Sequence, residues 1–223
     1  MAQKKTAGRL KVAFAFLLLF GPAFLLVLFA TRSCSHQFKT LPELGPAAAY
    51  SFTDVDGKKR TFKDFEGDIV LINTLQVTCP NECAISLVNL NLQVFQLAKN
   101  IDDKGVKIIS YVTDGKGNPV TDLTQVQAML MDRINDFDPE IWILASGPVK
   151  EVFDITHDGR SLLEETGDAF FGGFAFQEMM LLIDKTNQLR MIRSGAQEGY
   201  IREMKQHIAL LQKQYDKDAY GKK

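Results

Sequence analysis

Two cysteines four residues apart, in the run Thr78-Cys79-Pro80-Asn81-Glu82-Cys83, are the side chains of this sequence best suited to chemistry. They follow an apolar run and precede a helical pattern, with Pro80 at the first expected helical position, which sets Cys79 near the helix N-cap. Unpaired amides and the positive end of the helix dipole stabilise a thiolate there, lowering its pKa and making it reactive at neutral pH. Cys83 follows one turn later on the same face. Residues four apart on a helix have Cα atoms roughly 6 Å apart, in the upper part of the disulfide range of about 4.4 to 6.8 Å. Slight unwinding of the first turn then closes the bond. Once reduced, the same sulfurs form a soft bidentate donor set that selects Cu(I) over hard cations. The plainer reading is a pair of ordinary buried cysteines, since free cysteine is among the most buried residue types. In an exported domain they would oxidise to a disulfide closing a very short loop, which contributes little stability.

The third cysteine, Cys34, stands far from the pair, and three cysteines are too few for a disulfide scaffold. Charged residues make up 24% of the 223 and the net charge is -1, so no long-range field favours nucleic acid or an acidic polymer as partner. Beyond the first thirty or so residues the chain has the length of one ordinary globular domain.

Those first residues read as a membrane segment. From Val12 to Ala30 the run VAFAFLLLFGPAFLLVLFA carries no charge, and as a helix it would extend about 28 Å, close to a hydrocarbon core. Lys4, Lys5, Arg9 and Lys11 precede it, whereas Arg32 and Lys39 alone follow soon after, which places the N-terminus in the cytoplasm. The expected organisation is a cytoplasmic N-terminus (1–11), a transmembrane anchor (12–30), a tether (31–47) with two prolines, the domain (48–216) and a polar tail (217–223). The domain would then sit on the periplasmic or extracytoplasmic side of a cell membrane, where disulfides persist. A cleaved signal peptide is the competing reading, disfavoured because the run exceeds a usual h-region and no A-x-A site follows. Lipidation of Cys34 after cleavage is a third, at odds with Arg32 two residues before it.

Several elements must position the cysteines. Tyr50–Thr53 and Arg60–Phe62 flank the turn signal Asp56-Gly57 and predict a hairpin. The run IVLINTLQV after Asp68, rich in β-branched residues, predicts a central strand covered on both faces, and the cysteine motif begins at its end. From Pro80 to about Lys99, Ile85, Val88, Leu92 and Phe95 recur at helical spacing, with Leu87, Leu90, Val94 and Leu97 widening the stripe. Further strands are expected at Val106–Val112 and Ile141–Leu144, and helices over Leu123–Ile134 and from Pro148 to Thr156. A terminal hairpin joins Glu178–Ile183 to Leu189–Ile192 through Lys185-Thr186-Asn187. The last helix carries Ile201, Met204, Ile208, Leu211 and Tyr215 on one face. Alternating strands and helices make this an α/β domain.

Strand IVLINTLQV, motif TCPNEC, a long helix, a strand ending in YVTD, then WILASG and a late MMLLID strand together resemble the Sco/SenC family over roughly residues 48 to 215. The resemblance implies a thioredoxin-like central mixed sheet flanked by helices, an N-terminal transmembrane helix, and a role in assembling the copper centre of cytochrome c oxidase. It implies that Cys79 and Cys83 are the redox-active and metal-binding residues, with Cu(I) as the metal. The partner implied is an oxidase copper subunit or another thiol–disulfide protein. One departure stands out: the family has a histidine in a segment like D-H-S-x-x-M-Y-L-I-D, and the matching stretch here, AFQEMMLLID, has Phe176. Met179 and Met180 are the nearest soft replacements, although strand packing is the expected role of both. His157 and His207 are expected on exposed helix faces and His36 in the tether, so none replaces the missing imidazole. The segment after the second strand is also altered, to Asp114-Gly115-Lys116-Gly117-Asn118-Pro119.

Four functions compete on this reading. Copper delivery needs stoichiometric Cu(I) on the two thiolates. A dithiol oxidoreductase needs the Cys79 thiolate to attack a partner disulfide and Cys83 to resolve the mixed disulfide. A peroxiredoxin-like peroxidase is disfavoured, because that family has threonine three residues and proline seven residues before its cysteine, where Gln76 and Ile72 stand here. A tethered interaction domain with an inert disulfide is the last.

Overall fold

The computed structural model describes residues 3–33, 40–77, 83–101, 105–157 and 159–220, with backbone alone at 3–13, 30–33, 83–86, 157 and 219–220. The chain divides into two compact units, Met1–Lys39 and Thr40–Lys223. In the first, helix α1 runs from Gln3 to Ser33 with Pro22 inside it. Its residues 14–29 are uncharged, and all but Gly21 are exposed. Among the described residues, no helix is long and apolar enough to cross a membrane.

In the second unit, β1 (Ser51–Thr53) and β2 (Lys59–Thr61) form the expected hairpin. The Asp54 carboxylate holds its turn by accepting from the amides of Asp56 (3.1 Å) and Lys58 (2.9 Å) and from Arg60 Nε (2.7 Å). β3 (Ile69–Gln76) is the centre of a five-stranded sheet. It pairs in parallel with β4 (Val106–Thr113), which pairs in parallel with β5 (Trp142–Ala145). A two-stranded ribbon of β6 (Thr156–His157) and β7 (Arg160–Ser161) lies outside the sheet. On the other side of β3 the antiparallel strands β8 (Met179–Ile183) and β9 (Leu189–Ser194) complete the order β5-β4-β3-β8-β9.

The uninterrupted apolar run of β3 follows from period-2 geometry between two covered faces. Ile69 and Leu71 enter one core with Leu87, Leu90, Leu130, Met204, Ile208 and Leu211, while Val70 and Ile72 enter the other with Phe52, Phe65, Phe153 and Phe176. Helices α2 (Cys83–Leu90), α3 (Gln96–Lys99), α4 (Thr124–Arg133) and α6 (Glu198–Tyr220) contribute to the first face, the hairpin and α5 (Val149–Val152) to the second. The result is the mixed α/β sheet the sequence predicts.

Three local expectations are corrected. A π turn over Asn91–Phe95 joins α2 to α3, and the buried stripe is Leu87, Leu90, Val94, Phe95 and Ala98. Val88 and Leu92, expected inside, are 51% and 56% exposed: at about 100° per residue, Val88 turns away from Leu87, and Leu92 lies about 200° from both Leu90 and Val94, on the opposite face. The helix expected from Pro148 to Thr156 stops at Val152, and His157 lies on β6 rather than a helix. Leu41–Ala47, read from composition as the end of the tether, runs beside β9. Leu44 N donates to Leu189 O and Ala47 N to Asn187 O, while the buried Arg190 donates to the carbonyls of Leu41 (2.6 Å) and Pro42 (3.0 Å). A chain edge left bare would carry unpaired backbone groups, and this segment pairs them.

Candidate functional site

β3 ends at Gln76, and Val77 N donates to Thr113 O at 3.0 Å, so the carboxyl ends of β3 and β4 stand side by side. Chain running outward from adjacent strand ends is where open α/β sheets place their ligands. Here that chain is the cysteine motif. Residues 78–82, Cys79 among them, lie outside the described residues, and α2 begins with the backbone of Cys83.

A segment from far along the sequence covers these strand ends. Asp168 caps a short 3-10 turn (Ala169–Phe171) by accepting from Phe170 N at 2.8 Å, and the chain reverses at Gly172, whose φ is 88°. A Cβ there would meet Gly115 O at 2.2 Å, so glycine is required by conformation and by space. Gln76 Nε2 donates to Phe171 O at 2.5 Å, and Thr74 Oγ1 donates to Gln177 O at 2.5 Å. Gln177, 3% exposed, accepts at Oε1 from Thr113 Oγ1 (3.3 Å) and donates from Nε2 to Gly115 O (3.5 Å). The 168–178 segment is thus tied to the ends of both strands preceding the site.

Between this segment, the end of β3 and the second turn of α2 lies a cavity of about 70 Å³ lined by Gln76, Leu87, Phe171, Glu178, Met179 and Met180 among others. Burial, reinforced by the nearby Asp168 carboxylate, pushes the Glu178 carboxyl above its ordinary range. Asp114, at the end of β4, shows the opposite behaviour. Hydrogen bonds from the side chain and amide of Asn118 and from Lys116 N hold its exposed carboxylate below the usual range.

Phe176, where the resembling family has histidine, is 1% exposed. Its ring centroid lies 6.0 Å from that of Phe153 and 5.9 Å from that of Phe174. Gly117, with φ of 75°, makes room for it: a Cβ there would fall 2.5 Å from Phe176 Cζ. A close-packed hydrocarbon occupies the position, so it offers no donor to a soft metal. Met180 is 2% exposed within the core, as strand packing requires, and Met179 is half-buried at the cavity.

Among the described residues, no histidine side chain lines the cavity. His207, expected exposed on α6, is half-buried with Nδ1 2.7 Å from Met191 Sδ, because its helix face turns onto β9. His36 lies outside the described residues. Among the described residues, no group of three His, Cys, Asp or Glu side chains is arranged to hold a metal ion. Sequence reasoning overlooked Thr74, Gln76, Thr113 and Gln177. Threonine and glutamine carry no motif, and only the return of the chain 103 residues after Thr74 shows their purpose.

A sequence model described as SCO1/SenC matches residues 42–211. Comparison with curated protein sequences gives no match. Among solved structures, the chain resembles a SCO1/SenC family lipoprotein from Bacillus anthracis str. Ames at 16% identity and a TM-score of 0.51, covering 76% of this chain and 96% of that one. BsSco, a member of the Sco family of cytochrome c oxidase assembly proteins with a disulfide switch, matches at 15% identity over 76% of this chain and 98% of its own, with a TM-score of 0.49. Copper-bound ScoI of Bradyrhizobium japonicum matches at 18% identity over 73% and 99%, with a TM-score of 0.46. The first of these likenesses supports the thioredoxin-like fold.

Proposed function

From the premise that this chain belongs to the SCO1/SenC family, we propose that it is a membrane-anchored dithiol protein acting in the assembly of an oxidase copper centre, by thiol–disulfide exchange through Cys79 and Cys83. The observation that carries the choice of exchange is Phe176. Its buried ring withholds the third donor that a two-thiolate Cu(I) site would draw on, while leaving two-sulfur chemistry untouched. The apolar run 12–30 serves as the anchor, with the N-terminus in the cytoplasm and the domain outside.

In the exchange, the Cys79 thiolate attacks one sulfur of a partner disulfide, and the partner's other sulfur leaves as a thiolate. Cys83, deprotonated in turn, attacks the mixed disulfide at Cys79 and releases the second partner thiolate. Two electrons pass from this chain to the partner, which emerges as a dithiol able to receive copper. The Cys79–Cys83 disulfide is then reduced by a thiol donor. Cys79, one residue before Pro80 at the expected helix start, is the thiol whose deprotonated form that start would stabilise.

A second reading, Cu(I) as cargo, is favoured by Met179 at the cavity edge, a thioether beside the end of β3. Both are tested on the full chain in detergent micelles. Equilibration in glutathione buffers followed by alkylation should show one reversible disulfide, and Cys83→Ser should accumulate a mixed disulfide. Anaerobic Cu(I) titration against a chelator should show weak binding in the wild type. A tight equivalent of Cu(I), lost in both Cys79→Ser and Cys83→Ser, would establish the cargo reading instead, and no reversible disulfide would reject exchange.

A further inference from the structure

Gln177 is a buried amide, where methionine would fill a similar volume without polar groups to satisfy. Its carbonyl and both side-chain polar atoms are engaged with the ends of β3 and β4 and the turn that follows β4. Its carbonyl accepts from Thr74, its side-chain oxygen from Thr113, and its amide nitrogen donates to Gly115 O. Thr74 is itself braced from across the sheet. Trp142 Nε1, which can only donate, gives its proton to Ser110 Oγ at 2.9 Å, so the Ser110 hydroxyl donates onward to Asn73 Oδ1 at 2.8 Å. That orientation directs Asn73 Nδ2 to Thr74 O at 3.1 Å. A one-way chain of hydrogen bonds therefore runs from β5 through β4 to the end of β3, and the Thr74 hydroxyl joins β3 to the 168–178 segment.

We propose that Thr74 and Gln177 are positioning residues, a latch that holds the 168–178 segment against the strand end from which the cysteine motif runs, and that releasing it shifts the disulfide equilibrium of Cys79 and Cys83. The segment touches both supports of the pair: Phe171 shares the cavity with Gln76, three residues before Cys79, and with Leu87, one turn after Cys83. Rigid supports raise the effective concentration of one sulfur at the other, which favours the closed disulfide. The inference rests on the dithiol reading above.

Thr74→Val removes the latch hydroxyl at nearly constant shape, and Gln177→Met removes the amide at similar volume. In the full chain in micelles, each should lower the equilibrium constant for disulfide formation against glutathione about tenfold, equivalent to a potential about 30 mV more oxidising. The two variants cut different bonds of one latch, Thr74→Val the bond to the Gln177 carbonyl and Gln177→Met those to Thr113 and Gly115, so the double variant should shift at least as far as the larger single effect. Ile208→Val, in the core of α6 against the sheet, should lower the melting temperature and leave the equilibrium constant unchanged. Single variants matching the wild type overturn the latch, as does an equal shift from Ile208→Val. A wild type without a reversible disulfide overturns the dithiol reading itself, and the latch with it.

Discussion

Phe176→His would install the family's donor at the one position where this chain lacks it, and the structure indicates what that change costs. The phenyl ring is fully buried between Phe153 and Phe174, and each such aromatic pair contributes about 0.5–1.5 kcal/mol beyond area burial. An imidazole in the same space must also bury a nitrogen that the surrounding rings do not pair, at about 1–3 kcal/mol. A total of about 3 kcal/mol is expected, and at about 2–4 °C per kcal/mol for a domain of this size the melting temperature should fall by roughly 10 °C. Phe176→Leu, which loses the ring contacts but adds no polar atom, should lose about half as much. Thermal unfolding followed by circular dichroism in the presence of a chelator reads both. With Cu(I) added, Phe176→His should bind at least tenfold more tightly than the wild type, recovering about 1.4 kcal/mol. If Phe176→His melts with the wild type in chelator, the ring is not the close-packed hydrocarbon described, and the case against a third donor falls.

Gly172→Ala should destabilise the domain by about 1–3 kcal/mol in denaturant titration, since φ of 88° and the facing Gly115 carbonyl both exclude a Cβ. Burial raises the Asp184 carboxyl, but hydrogen bonds from Gln188 N, Arg190 and Thr186 outweigh it and hold the pKa below the ordinary range. A carboxyl depressed by folding contributes stability that is fully present above its unfolded value, about 3.9, and is lost as pH falls through the lower folded value. Acid titration of stability should therefore be shallower below that value in Asp184→Asn than in the wild type. At neutral pH, Asp184→Asn takes away the buried charge 2.7 Å from Arg190, leaving it Glu43 at 3.7 Å and the Leu41 and Pro42 carbonyls, and should cost about 1–3 kcal/mol, measured by chemical denaturation.

What the sequence by itself determined is what depends on spacing along the chain. The continuous apolar run IVLINTLQV, the turn residues at Asp56-Gly57, and the face of Ile201, Met204, Ile208 and Leu211 each describe one element, and each emerged where expected. The Cys79–Cys83 spacing and the loss of histidine at Phe176 were equally local. Spacing failed where two registers fit one helix: Val88 and Leu92 repeat as regularly as Leu87, Leu90 and Val94, and only packing on the sheet with a π turn chose between them. Tertiary structure alone decided which residues surround the strand ends. Thr74, Thr113 and Gln177 are ordinary polar residues until the chain returns across β3 and β4, where burial obliges each polar atom to find a partner. A buried hydrogen bond between distant residues leaves no periodicity behind, so its pairing is written only in three dimensions.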